Sequence, residues 1–436
     1  MFTINQKIIN KPASKYITVI LVGVSASLLV LYRLFNTNKD SIRENLWAED
    51  GLFALCAYNY NTLSCLIEPY AGYMLTLQKL LAGIVGLTPI EHWATVANIM
   101  AALISGILAG LTYYILQSKK TKIITAIFVA YIPLILPLTG FEAIGSLGSL
   151  YMILLYSTTI ALAYYVDKPR EQIITGTLLA LSIATIPSAF ALILGVAVLY
   201  YRNKITKKLT LTYSLLLTLG LTIQLTVGRT GATTRNTIVT QESINAWIEY
   251  LPKYLATYIP GLYYQENESF EYFPIKTLPN IGLYITIILV TIGLYLVIKR
   301  NEKIGILILV GLSYGLIPVL TGYANNRYFI LPLSLLAAGI LLALSKKLAT
   351  TQTVLIIIGV TILWVPSLEA SDFRKKPNPT WSSQIETINN TCKENKKEKS
   401  NETGRNEKQK ILLQFTPEWP RSETVMEEKT QPYLYC

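Results

Sequence analysis

The sequence predicts an all-α polytopic membrane protein, and three observations predict it. Of its 436 residues 52% are hydrophobic and only 15% are charged. Apolar runs of about 17–20 residues, long enough to cross a bilayer as helix, recur along most of its length. The Lys, Arg, Asp and Glu residues fall between these runs or at their ends. Lipid offers no partner to backbone N–H and C=O groups, so such runs close their own hydrogen bonds as helices. Strand-like alternation is absent from them, and an ordinary soluble globule is excluded.

In chain order the candidate spans are 16–34, 90–116, 123–138, 148–166, 173–186, 187–201, 209–226, 280–298, 304–321, 328–344 and 351–366, about eleven transmembrane helices. The first run is long, ends at Tyr32-Arg33 and has no small-residue cleavage site after it, so it reads as a retained helix and not a signal peptide. A loop, 35–89, follows it. Within this loop the piece 72–87 carries Gln78 and Lys79 and is short for a span. Counting it as one would invert every later loop, so it is expected to lie along the membrane surface, apolar side down.

The run 173–201 has basic residues at both ends, Lys168 and Arg170 before it and Arg202 and Lys204 after it. Proline disfavours helix at the preceding residue and lacks an N–H, so Ile186-Pro187-Ser188 is expected to break the run into two short helices. These would leave a cavity open to the outside; the alternative is one long tilted helix. The outer segment 227–279 carries Trp247 and a group of aromatics, Tyr263, Tyr264, Tyr272 and Phe273, suited to capping the bundle or stacking on sugar faces. Residues 1–366 form the multi-pass unit and 367–436 a small extracytoplasmic lobe. In that tail, 392–409 is dense in Lys, Glu and Asn and reads as a solvated loop, while 411–416 has strand character.

The net charge of +12 is a signal of orientation. With the N-terminus inside, the short inner segments 1–15, 117–122, 167–172, 202–208, 299–303 and 345–350 hold 17 of the 38 Lys and Arg residues. The short outer loops 139–147 and 322–327 hold only Arg327. This asymmetry places the N-terminus in the cytoplasm and the C-terminus outside a cell membrane, and removes any need for a nucleic-acid partner. All six Trp residues fall in outer segments or at outer helix ends. So do all four cysteines, Cys56, Cys65, Cys392 and Cys436, where disulfides persist. Local pairing, Cys56 with Cys65 and Cys392 with Cys436, is the simplest of the three possible arrangements.

Candidate chemistry lies with carboxylates. The chain has one histidine, His92, beside Trp93, no metal-type Cys/His spacing and no Gly-rich phosphate cradle. Trp47-Ala48-Glu49-Asp50-Gly51 sets an acidic pair among apolar and small residues just after the first span. A carboxylate in such a setting binds protons more readily and serves as a general base. An acidic pair is also what the dipole of any helix N-terminus favours. Glu142 sits in a very short turn between spans, where a carboxylate needs a partner or a role. Arg327, followed by Tyr328, is a basic residue at an outer mouth, and arginine suits bidentate phosphate binding.

At these residues the chain resembles the GT-C class of membrane glycosyltransferases, which includes protein O-mannosyltransferases and lipid A aminoarabinose transferases. The acidic pair in the first outer loop, the surface-lying helices around it and the inside N-terminus carry the likeness. Trp47 to Gly51 followed by Glu68, Pro69 and Tyr70 looks closer still to bacterial GT-C-like proteins. The segment from Arg327 to Pro332 and the tail with Cys392, Pro417 and Trp419 fit the same group. The pair reads Glu-Asp here, whereas several families have Asp-Glu. The resemblance implies transfer of a sugar from a polyprenyl-phosphate carrier to a hydroxyl on an envelope glycan, lipid or protein acceptor. It implies Asp50 or Glu49 as base and Arg327 as ligand of the carrier phosphate, with Trp47, Glu68, Tyr70, Glu142 and Tyr328 near substrate. No cofactor is required by the sequence, and nothing in it specifies a divalent metal. The rival readings are a transporter or lipid flippase, and a non-catalytic scaffold for envelope assembly.

Overall fold

The computed structural model describes residues 12–37, 40–70, 73–136, 144–230, 279–299, 301–320, 329–364, 380–399, 410–412 and 433–435. Each of the eleven apolar runs coincides with a helix. In chain order, together with the four helices of the first loop, these are α1 Pro12–Thr37, α2 Ser41–Glu44, α3 Ala48–Asn59, α4 Thr62–Ile67, α5 Thr76–Gly86, α6 Trp93–Ser118, α7 Ile123–Ile135, α8 Leu150–Tyr164, α9 Pro169–Thr185, α10 Leu192–Tyr201, α11 Lys207–Thr230, α12 Pro279–Ile298, α13 Glu302–Leu320, α14 Ile330–Lys347 and α15 Thr350–Trp364. A tail helix, α16 Trp381–Lys399, and a two-stranded antiparallel ladder, β1 Lys410–Leu412 with β2 Tyr433–Tyr435, complete it.

Among the described residues four helical stretches are long and apolar enough to cross a membrane: Tyr16–Asn36, Ile90–Ser118, Lys207–Val227 and Ile330–Lys347. Their outer faces are apolar. On α11, Leu211, Leu215, Leu219 and Ile223 recur at four-residue spacing and are each at least half exposed or nearly so. A stripe of that kind is stable against lipid and a liability in water.

Small residues bring the first span onto the second. Gly23 and Ser27 on α1 face Gly106 and Gly110 on α6, both pairs at four-residue spacing. A Cβ at Gly106 would lie 2.0 Å from Ser27 Oγ and 2.4 Å from the Gly23 carbonyl. In lipid, where apolar burial drives no association, this closeness is what lets dispersion and hydrogen bonds hold two helices together.

The break at proline is present. α9 ends at Thr185, Ile186 is extended, and a 3-10 turn over Pro187–Ala191 leads into α10. In a continuous helix residue 187 would donate to the Ile183 carbonyl, and Pro187 has no N–H to give. Gln224 of α11 replaces it: its Nε2 donates to the carbonyls of Ile183 at 2.9 Å and Ala184 at 2.8 Å. Thr76 Oγ1 also donates to Ala184 O, at 2.6 Å, and Leu75 N to Thr185 O, at 3.1 Å. The carbonyls left by the break are thus satisfied from α11 and from the start of α5.

Five of the six segments read as inner from the sequence meet one another at one end of the bundle. Lys119 pairs with Asp167 at 2.8 Å and with Glu171 at 2.9 Å, and Lys204 with Glu302 at 3.4 Å. Lys122 Nζ donates to Leu348 O, Lys346 Nζ to Asn301 Oδ1, and Lys303 lies over the ring of Tyr164.

Two expectations change. In α5 the polar residues Gln78 and Lys79 are buried in the protein, while Leu80, Ile84 and Leu87 are exposed. The apolar side does face outward, but its opposite side packs on α3 and not on water: a Cβ at Gly86 would lie 2.7 Å from the Ala54 carbonyl. Second, the stretch from Cys392 to Lys399 is not loop but the end of α16. Trp381, Ile385, Ile388 and Cys392 recur at spacings of four and three and pack on the core, a stripe that begins upstream of the charged stretch. Trp381 stacks on Trp93 at 6.1 Å and its Nε1 donates to Ile90 O, while Glu44 Oε2 accepts from both the N–H and the hydroxyl of Ser382.

Candidate functional site at the first-loop end of the bundle

Glu49 and Asp50 are the second and third residues of α3, whose N-cap, Trp47, has no side-chain oxygen to offer the free N–H groups. Both carboxylates turn inward; Asp50 is 1% exposed and Glu49 7%. Asp50 Oδ2 accepts from Leu147 N at 2.9 Å and Oδ1 from Gly148 N at 2.7 Å, with Ser146 Oγ at 3.4 Å. Both oxygens are therefore committed to the approach to α8, and such charge-assisted bonds to fixed donors are the strong ones. The loop is wedged in place. Gly145 has φ +70°, and a Cβ there would lie 2.5 Å from Leu34 and 3.1 Å from Asn98 Oδ1. Gly148 lies against Glu49: an added Cβ would be 3.2 Å from Glu49 Cβ.

The residues around the pair come from distant parts of the chain. Gln78 Nε2 donates to Gly148 O at 3.4 Å. Asn98, inside α6, donates through Nδ2 to the carbonyls of Asn45 at 2.9 Å and Ile42 at 3.2 Å, fixing the chain just before the acidic pair. Phe53, one turn on from Asp50, meets Tyr70 edge to face at 5.1 Å and carries the Lys79 ammonium over its ring at 5.7 Å. Lys79 Nζ donates to the backbone carbonyl of Glu68, itself buried. Burial pushes the Lys79 ammonium down to about 7 against the opposing pull of Glu68. The Cys56–Cys65 disulfide joins α3 to α4, as the local pairing anticipates.

The structure thus gathers Trp47, Glu49, Asp50, Glu68 and Tyr70 at one end of the bundle, opposite the lysine-rich end. Glu142, Arg327, Tyr328 and Cys436 lie outside the described residues. Cys392 is disulfide-bonded, and its expected partner is Cys436. His92 is exposed at the end of a 3-10 turn, Ile90–His92. Among the described residues no group of three His, Cys, Asp or Glu is arranged to hold a metal ion.

Sequence reasoning missed Gln78, Lys79, Asn98 and Gln224 as members of this end. Asn98 and Gln224 were marked by their chemistry, as lone amides inside apolar spans, where a polar side chain needs a partner on another helix. No protein-family model matches the chain, and no curated protein is detectably similar to it.

Proposed function

We propose that the chain is an integral-membrane glycosyltransferase of GT-C type with about eleven spans, an inside N-terminus and its site on the outer face of a cell membrane. The observation that carries the reading is the division of labour between two adjacent carboxylates. Asp50 is spent on Leu147 and Gly148, so it positions the loop, and the role of base falls to Glu49 beside it. In the reaction an acceptor hydroxyl on glycan, lipid or protein attacks the anomeric carbon of a polyprenyl-phosphate sugar. Its proton passes to the Glu49 carboxylate, and the bond from the anomeric carbon to phosphate oxygen breaks. Phosphate is a good leaving group, so one base suffices. Arg327 would stabilise the departing charge. The lysine-rich end opposite the site supports the orientation.

The test is transfer from radiolabelled polyprenyl-phosphate hexoses by proteoliposomes of wild type and Glu49→Gln. The expected loss is about 10²–10⁴-fold, the usual contribution of a general base. Undiminished transfer by Glu49→Gln would overturn the assignment. A second reading, a transporter or flippase, is favoured by the broken pair α9 and α10 with its carbonyls capped from α11. Substrate counterflow without covalent transfer would establish it.

A further inference from the structure

At the lysine-rich end two ammonium groups are left without a carboxylate. Lys119 takes both oxygens of Glu171, at 3.1 and 2.9 Å, and Asp167 Oδ2 at 2.8 Å. Lys204 takes Glu302 at 3.4 Å. Lys303 and Lys346 belong to none of the ion pairs among the described residues. Lys346, exposed in the last turn of α14, donates to the amide oxygen of Asn301 at 3.3 Å. Lys303 is half-buried in the first turn of α13, where the helix dipole disfavours a cation. Its Nζ lies 5.0 Å from the centroid of the Tyr164 ring. Burial holds this ammonium below its ordinary range; Asp167 and Glu302 oppose that, while Lys119 and Lys346 repel it further. The hydroxyl of Tyr164 is buried with no hydrogen-bond partner among the described residues, and so is Nε of Arg202, two residues before Lys204. Buried donors left unmet cost stability, and here they stand beside positive charge that no carboxylate offsets. An anion relieves both.

We propose that the start of α13 and the end of α14 form a headgroup site for an anionic phospholipid of the inner leaflet, its phosphodiester accepting from Lys303 and Lys346. The bond from Lys346 to Asn301 brings the second ammonium to within two residues of the first along the chain. The first turn of α13 adds the partial positive charge that helix N-termini offer to phosphate. A lipid fits better than a soluble anion because apolar surface adjoins the charge. Ile298, the last residue of α12, and Leu344, two residues before Lys346, are 61% and 37% exposed, and acyl chains would lie along them. Basic pockets between helices on the cytoplasmic side are suited to such headgroups. The site rests on the orientation proposed above and not on transfer. With Glu49 inert it binds the same lipid, and with the orientation reversed it binds from the other leaflet, which maleimide labelling separates.

The test is titration of dioleoylphosphatidylglycerol and dioleoylphosphatidylcholine into the purified full chain in maltoside micelles, read by native mass spectrometry. The proteins are wild type, Lys303→Gln, Lys303→Arg, Lys346→Gln and Lys207→Gln. Wild type should hold phosphatidylglycerol at least about fivefold more tightly than phosphatidylcholine, and Lys303→Gln and Lys346→Gln should each lose about fivefold, the usual worth of one basic residue near an anionic lipid. Lys303→Arg should stay within about twofold of wild type, because the charge survives. Lys346→Gln alters an exposed side chain, so it reads the site even where Lys303→Gln fails to fold. Lys207, exposed in the same inner segment as Lys204, reports the general pull of a basic surface, and its removal should leave binding unchanged. Excess glycerol 3-phosphate should not compete; full competition would make a free phosphate the ligand and overturn the lipid assignment. Equal binding of the two lipids, or an equal loss in Lys207→Gln, would overturn the site itself.

Discussion

The two neighbouring carboxylates of α3 show how little a residue's type says about its task. Asp50 accepts two backbone N–H bonds from a loop that follows it by nearly a hundred residues. An Asn there keeps one acceptor and turns a donor toward the other N–H, so Asp50→Asn should cost about 1–3 kcal/mol and lower the melting temperature in detergent. Glu49→Gln should lower transfer by far more than any accompanying shift in that temperature explains. At the opposite end, burial pushes the Asp167 carboxyl up, but the hydrogen bond and charge of Lys119, helped by Lys303 and Lys204, outweigh it and hold it below its ordinary range. Burial likewise opposes the Lys119 ammonium, and its bonds to Asp167 and Glu171 raise it above its ordinary value. The stability from Asp167 is therefore present above the ordinary carboxylate range and lost as pH falls through the folded value. That from Lys119 is present below the ordinary ammonium range and lost as pH rises through the folded value. Lys119→Met should flatten both limbs of a stability–pH curve. Because it strands the buried Glu171, it should also cost up to about 3 kcal/mol at neutral pH, whereas Asp167→Asn, on the half-exposed side, should cost under about 1 kcal/mol.

Among the elements, the broken pair α9 and α10 makes the sharpest mechanical statement. Pro187 removes a donor and Gln224 supplies one, and the same amide accepts from Met74, so the break, the outer half of α11 and the start of α5 form one joint. Gln224→Leu leaves the Ile183 carbonyl and the Met74 N–H without this partner, while Thr76 still caps Ala184, and should destabilise by about 1–3 kcal/mol. Pro187→Ala restores an N–H for Ile183 O, so Gln224→Leu should cost less in that background. A double-mutant cycle on unfolding in detergent measures the coupling. Strict additivity would mean that the two residues act independently. The tail helix makes a comparable joint from other parts, with Trp381 on Trp93 and Glu44 holding the Ser382 N–H in its first turn.

For the whole molecule, sidedness decides the mechanism. The acidic pair, the start of α5 and the tail helix share one end, and Lys119, Lys204, Lys303 and Lys346 share the other. Single cysteines at the exposed first-loop position Asn61, and at 142 and 327, should react with impermeant maleimide in intact cells. Those at Lys120 and Lys207 should react only after permeabilisation. Labelling of position 327 from the inside would remove Arg327 from the site.

What the sequence by itself determined is whatever the medium and the local chain impose. The eleven apolar runs become helices, four of those described long and apolar enough to cross a membrane, where lipid leaves backbone groups no other partner, and α9 stops at Thr185 because Pro187 cannot donate. The short disulfide from Cys56 to Cys65 is likewise a local matter of nine residues. Only the tertiary structure decided which donors reach a given side chain. Gln78 and Lys79 read as polar residues of a surface helix until Gly148 is placed over the first and Phe53 and Glu68 over the second. The charged composition after Cys392 hides a helix whose apolar stripe finds its partner, Trp93, nearly three hundred residues earlier. Asp50 and Glu49 are indistinguishable in the sequence, and the N–H groups of Leu147 and Gly148 tell them apart. Helix formation in lipid is a property of a segment, whereas the work of a buried polar group depends on partners that long-range packing alone delivers.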